Sequence, residues 1–136
     1  MAYEFVKVER EGPVTVVTLN RPEVMNALHS PAHFELGEVF DTFRDDPDQW
    51  VAIVTGAGDR AFSAGNDLKH QASGGKMGSP PSGFAGITSR FDTNKPLIAA
   101  VNGICIGVGV TQILCFDNST SSRGDRKRPR GASCAS

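Results

Sequence analysis

Apolar residues recur along the first hundred positions with two different periods, and each period predicts an element. Tyr3 to Glu9 and Val14 to Leu19 are rich in β-forming residues, and Glu11-Gly12-Pro13 between them reads as a hairpin turn. Asn20-Arg21-Pro22 breaks the second strand. Ser30-Pro31 then offers an N-cap followed by proline at the first helical position, and Phe34, Val39, Phe40 and Phe43 keep roughly helical spacing up to Arg44. Asp45-Asp46-Pro47-Asp48 ends that helix. Val51 to Thr55 and Leu97 to Val101 are buried-strand patterns, the first followed by the turn Gly56-Ala57-Gly58-Asp59. Between them, Gln71 to Gly83 is rich in Gly, Ser and Pro and predicts a mobile loop, with a short helix expected over Phe84 to Phe91. Strands alternating with helices predict an α/β layer.

A chain of 136 residues suffices for one modest domain with a single core. No apolar stretch approaches the roughly 20 residues that span a bilayer, and the N-terminus lacks the basic-then-apolar order of a secretion signal. A cytoplasmic chain with no membrane partner is therefore expected. Cys105, Cys115 and Cys134 are odd in number and lack C-x-x-C spacing, which suggests neither a disulfide framework nor a zinc site and fits a reducing compartment. The net charge of −1 hides an asymmetry: 14 basic and 15 acidic residues divide into a body of charge −5 and a segment after Asp117 of charge +4. From Asn118 to Ser136 there is no aromatic and no aliphatic side chain larger than alanine. Such a segment cannot offset its ordering entropy by burial, so the expected organisation is a folded body over 1–117 and a disordered basic tail over 118–136.

Candidate chemistry lies in two small-residue segments, Ala61-Phe62-Ser63-Ala64-Gly65-Asn66-Asp67-Leu68 and Ala100-Val101-Asn102-Gly103-Ile104-Cys105-Ile106-Gly107-Val108-Gly109. Each reads as a turn running into a helix. When a proton leaves the carbon beside a thioester carbonyl, or a nucleophile adds to its conjugated alkene, negative charge collects on the carbonyl oxygen. Main-chain N–H groups at a helix start suit that oxygen, being unpaired by helix geometry and at the positive end of the dipole. Gly65, Gly107 and Gly109 would let a ligand approach the chain closely. Losing one such donor typically costs about 2.7 to 4 kcal/mol of transition-state stabilisation.

The order Asn20-Arg21-Pro22, Asn26-Ala27-Leu28, Val54-Thr55-Gly56, Phe62-Ser63-Ala64-Gly65-Asn66-Asp67-Leu68 and Lys95-Pro96-Leu97-Ile98-Ala99-Ala100-Val101-Asn102-Gly103 resembles the enoyl-CoA hydratase/isomerase, or crotonase, superfamily. The resemblance runs from about Tyr3 to Asp117, and the Ser-Ala-Gly-Asn-Asp-Leu form looks most like the Δ3-Δ2-enoyl-CoA isomerase branch. It implies a crotonase-like ββα spiral of which this chain carries the N-terminal part only, acyl-CoA thioester substrates, and a homotrimer for the full-length family. By position, Asn66 and Val108 would supply the main-chain N–H groups of an oxyanion hole. Ala64, Gly65, Asn66, Asp67 and Leu68, with Gly107 and Gly109, would line the thioester path, and Met25, Asn26 and Ala27 would lie along the bound CoA. No metal or redox cofactor is implied; coenzyme A enters as part of the substrate.

Two departures bear on activity. Hydratases of the family carry a catalytic glutamate where Thr111 stands, and the chain beyond Asp117 contains no glutamate. Carboxylate proton transfer is typically worth about 10²- to 10⁴-fold, so an incomplete copy with weak or no activity is expected. The C-terminal helices that cover the acyl pocket and build the trimer are missing too, which predicts exposed apolar faces and a partly molten or poorly soluble chain. The alternative readings are a non-catalytic CoA-binding or subunit-interaction fragment and, third, a nucleic-acid binder acting through the basic tail; that tail lacks interleaved aromatics, and no nucleic-acid partner is expected. Among single residues, Asp67 reads as an acceptor for nearby N–H groups rather than a base. His29, His33 and His70 read as surface imidazoles without metal spacing, and Cys105 and Cys115 as small core residues.

Overall fold

In the computed structural model, residues 3–72, 74, 78, 80–87, 94–107 and 118–121 are described. The hairpin forms as expected: β1 (Val6–Glu11) runs antiparallel to β2 (Val14–Leu19), with Val6 opposite Leu19 and Glu11 opposite Val14. Gly12 turns the corner at φ 58°, the left-handed region that favours glycine. Helix α1 (Ser30–Asp45) carries the chain across to β3 (Val51–Gly56), which lies parallel to β2. β5 (Leu97–Val101) adds in parallel to β3 and β7 (Asn118–Ser121) in parallel to β5, giving a five-stranded sheet in the order β1-β2-β3-β5-β7. A separate two-stranded parallel sheet joins β4 (Ala61–Ser63) to β6 (Ile104–Cys105).

Period-two alternation decides which side of the large sheet is covered. Thr15, Val17 and Leu19 of β2, Ala52 and Val54 of β3, and Leu97, Ala99 and Val101 of β5 are buried. α1 meets the core with Ala32, Leu36, Val39, Phe40 and Phe43, and burying each larger side chain of this set contributes roughly 1.5–3 kcal/mol. The C-terminus of α1 is held by Lys95, whose ammonium donates to the Phe43 and Asp46 carbonyls at 2.7 and 2.6 Å, satisfying helix-end acceptors with a cation. Thr15 donates to Gln49 at 2.7 Å, and Gln49 donates to the Gly12 carbonyl at 3.0 Å, tying the hairpin to the α1–β3 connection.

Several expectations are corrected. The residue capping α1 is His29, not Ser30, and it makes no side-chain cap bond; Pro31 in the first turn, lacking an N–H, removes one donor that would need capping. His29 and His33 are buried rather than on the surface, and His70 is half-buried, because the first turn of α1 packs against the candidate turn. The helix expected over Phe84 to Phe91 is described only as a 3-10 turn, Phe84–Gly86, with Ala85 at φ 56°; residues 88–93 lie outside the described residues. α2 (Leu68–Ala72) claims the start of the expected Gln71 to Gly83 loop. Asn118–Ser121, placed by composition in the tail, form β7, parallel to β5. A strand at a sheet edge is recruited by main-chain hydrogen bonds, which a polar sequence supplies as well as an apolar one; residues after 121 lie outside the described set. Cys105 is buried as a small core residue, yet it is disulfide-bonded, whereas spacing suggested reduced thiols. Motif spacing reads frameworks, not single pairings made by the fold.

Candidate functional site

The first small-residue segment is fixed from beneath by Asn26. After the 3-10 turn Pro22–Val24, Met25 and Asn26 both adopt left-handed conformations, at φ 56° and 55°. That reversal turns the Asn26 side chain inward, where it is 1% exposed and fully used: its Oδ1 accepts from the Arg21 N–H at 2.9 Å, and its Nδ2 donates to the Ala57 and Ala61 carbonyls at 3.1 and 2.9 Å. Ser63 donates to the Asn26 carbonyl at 2.9 Å and accepts from the Gly65 N–H at 3.1 Å. The Ala64 N–H bonds to the Met25 carbonyl at 3.0 Å. Of the residues expected along CoA, Asn26 is therefore a scaffold by its side chain, and Ala27 is buried beside it.

Next, Leu28 and Asn66 form an isolated parallel bridge. The Leu28 N–H donates to the Gly65 carbonyl at 2.7 Å and the Asp67 N–H to the Leu28 carbonyl at 2.8 Å. In a parallel ladder the residue between two bonded neighbours turns its own N–H to the other side. The Asn66 N–H thus faces away from Leu28 and takes no partner among the described residues.

Asp67 is an acceptor, as expected. Its Oδ1 accepts from the His70 N–H at 3.0 Å and its Oδ2 pairs with Arg21 Nη2 at 3.1 Å, both side chains being largely covered. Burial pushes the carboxyl up, but the His70 N–H and the Arg21 guanidinium outweigh it and hold Asp67 below the usual carboxylate range. Arg21 also donates to the Ala27 carbonyl at 2.6 Å. His29 stands between the rings of Phe5 and His70, at 4.4 and 5.1 Å, and its buried Nδ1 has no hydrogen-bond partner among the described residues. Burial first and the Arg21 charge second lower its pKa.

The second segment is brought alongside. β6 pairs with β4 in parallel, the Ile106 N–H donates to the Ser63 carbonyl at 3.1 Å, and Gly107, at φ 59°, lies so near that a Cβ there would meet Gly65 Cα at 3.6 Å. Asn102 locks the approach by accepting from the Gly56 N–H at 3.1 Å and donating to the Gly56 and Gly58 carbonyls, both at 2.9 Å. Gly103 permits it, because a Cβ there would sit 2.4 Å from the Arg60 carbonyl oxygen. Val108, Gly109 and Thr111 lie outside the described residues. A cavity of about 110 Å³ opens between the Pro22–Asn26 turn and the Ala57–Ala61 turn, with Met25 on its wall. A larger one, about 390 Å³, lies between the hairpin and α1 and shares no residue with the candidate segments. Among the described residues no cluster of three metal-ligating side chains occurs.

The family model for enoyl-CoA hydratase/isomerase matches residues 9–123 of this sequence. The chain belongs to that family. It is 46% identical over 126 residues to a carnitinyl-CoA dehydratase of Citrobacter koseri, covering 87% of this chain and 48% of the relative. The carnitinyl-CoA dehydratase of Escherichia coli K12 is 44% identical over 132 residues, covering 91% of this chain and 50% of that protein. Among solved structures, a carnitinyl-CoA dehydratase from Mycobacterium avium 104 superposes with a TM-score of 0.81 at 37% identity, covering 88% of this chain and 47% of that one. An enoyl-CoA hydratase from Mycobacterium tuberculosis H37Rv gives 0.78 at 34% identity, with 86% and 45% covered. The fold is thus the N-terminal part of the crotonase architecture, and the chain spans about half the length of the curated relatives it matches. These relatives are named for a dehydratase or a hydratase; the isomerase resemblance of the Asn66 turn finds no support in their names.

What pattern reading missed is His33. Three residues before Leu36 and seven before Phe40, it occupies the apolar stripe of α1, and that placement was the available signal for a buried imidazole.

Proposed function

We propose that this chain is the thioester-binding half of an acyl-CoA protein of the hydratase/isomerase class. The observation that carries the reading is the Asn66 N–H, which takes no partner among the described residues and is turned away from Leu28 on a turn against which Gly107 is packed. An acyl carbonyl oxygen in front of Asn66 would gain one oriented donor, and Val108, next after Gly107, would add the second. Met25 and the cavity beside it would receive part of the CoA arm. The relatives' names point to reversible loss of water from a hydroxyacyl thioester as the chemistry of the complete protein. In this reading coenzyme A enters as part of the substrate, with no further cofactor and no nucleic-acid or membrane partner.

Turnover by these 136 residues is expected to be weak or nil. Asp67, beside the donor, is tied to Arg21 and the His70 N–H and held ionised with a depressed pKa, a poor base for carbon acids. Thr111 offers no carboxylate at the hydratase position. A second reading, a non-catalytic fragment that binds CoA or associates with other subunits, is favoured by the exposure of Leu68, Ile104 and Ile106. Calorimetry with crotonyl-CoA tests the thioester site: saturable binding is expected, and its absence in a folded chain overturns the assignment. A hydration assay on the same sample separates the two readings, since turnover above background excludes the non-catalytic one.

A further inference from the structure

The thioester reading makes no use of His33, although this ring joins three segments. It is fully buried in the first turn of α1. Its Nδ1 accepts from the Ala85 N–H at 2.7 Å, so that nitrogen carries no proton. The neutral ring then bears its proton on Nε2, which lies 3.2 Å from Asn66 Oδ1 and donates to it. The Ala85 side of the contact is rigid. Gly86 at φ 69° packs so tightly on α1 that a Cβ would sit 2.5 Å from the Gly37 nitrogen, and Ala85 holds the left-handed conformation. The ring thus has one nitrogen committed to a fixed main-chain donor, and only the other can serve Asn66.

Asn66 is held at two points as a result. Its main chain is pinned by the bridge to Leu28, and its side-chain oxygen by His33. Its Nδ2 keeps donors that no described residue takes. We infer that His33 is a positioning residue: as the Nε2–H tautomer, its ring held by the Phe84–Gly86 turn, it ties the Asn66 side-chain amide to α1, and so fixes the orientation of the N–H offered to the thioester. This rests on the reading of Asn66 given above, and His33 itself touches no substrate.

The test uses the full chain labelled with ¹⁵N and two variants. His33→Gln can present a carbonyl to Ala85 and an amide to Asn66; His33→Leu fills similar space and makes neither bond. In the parent chain Nδ1 should show an acceptor-type shift and Nε2 a protonated one. His33→Leu should move the Asn66 side-chain amide resonances and weaken crotonyl-CoA binding by about tenfold, the scale of one lost orienting hydrogen bond, with His33→Gln restoring affinity to within about twofold. The opposite tautomer, unmoved Asn66 resonances, or a folded His33→Leu chain of unchanged affinity would each overturn the inference. If the parent chain does not bind crotonyl-CoA, the thioester reading fails, and the tautomer with the Asn66 resonances still decides on the clamp. If His33→Leu does not fold, the parent tautomer and the His33→Gln resonances decide.

Discussion

Where β2, β3 and β5 meet α1, the inward positions are almost all aliphatic or aromatic, and the strands are ordered by side chains excluding water. Around Gly65 the inward side chains are Asn26, Ser63, His33 and Asp67, each committed to named donors or acceptors. The first region tolerates exchange among side chains of similar volume. The second does not, because each removed partner strands another polar group away from water. The proposed site, which would present the Asn66 main-chain N–H in one direction, is built from the less forgiving material.

The comparison breaks most visibly at Phe62, fully buried in β4 between the two regions. Phe62→Ala should cost about 3–5 kcal/mol, read as a lowered urea midpoint, and a loss under about 1 kcal/mol would mean that its surroundings collapse to fill the space. Asp67→Ala comes next, at about 3 kcal/mol, because the covered Arg21 guanidinium loses its counter-ion. Since its carboxyl is depressed, Asp67 stabilises the fold at neutral pH and loses that contribution only as pH falls through its lowered pKa, below the ordinary 3.8.

The buried imidazoles sharpen the contrast with a smaller effect of distinct pH. Both His29 and His33 are lowered, so between their folded pKa and the ordinary value near 6.5 the unfolded chain binds more protons. Stability should therefore fall as pH drops below about 6.5, by up to about 1.4 kcal/mol per pH unit for each ring, and His33→Gln should remove its share. A urea midpoint unchanged between roughly pH 7 and 5 would mean solvated rings. Smallest is Leu68→Ser: at 71% exposure its effect on stability should stay within about 0.5 kcal/mol, while self-association in sedimentation should diminish if that face seeks a partner.

Side-chain periodicity made the first region readable. The hairpin, α1, β3 and β5 stand where alternation and helical spacing put them. The Asn66 turn was readable from its small residues and its order relative to Asn102-Gly103, and the fold brings Gly65 and Gly107 together. What escaped was decided by contacts between distant segments. His33 looks solvated beside Ser30 and Glu35 in the sequence, yet it is buried by Ala85 and Asn66. Asn26, expected beside the ligand, is consumed by Ala57 and Ala61. β7 has no hydrophobic signature, and its pairing with β5 is a property of the sheet edge that receives it.

β3 takes parallel partners on both sides, and those partners come from remote stretches of chain. Thr15 pairs with Ala52 across the whole of α1, and Ala52 pairs with Leu97 across everything from residue 57 to 96. Loop closure must precede the contacts that reward it, so the centre of this sheet assembles late and slowly. Until Leu97–Val101 arrives, the open side of β3 offers its main chain to any strand nearby, and refolding yield should depend on how dilute the chain is kept.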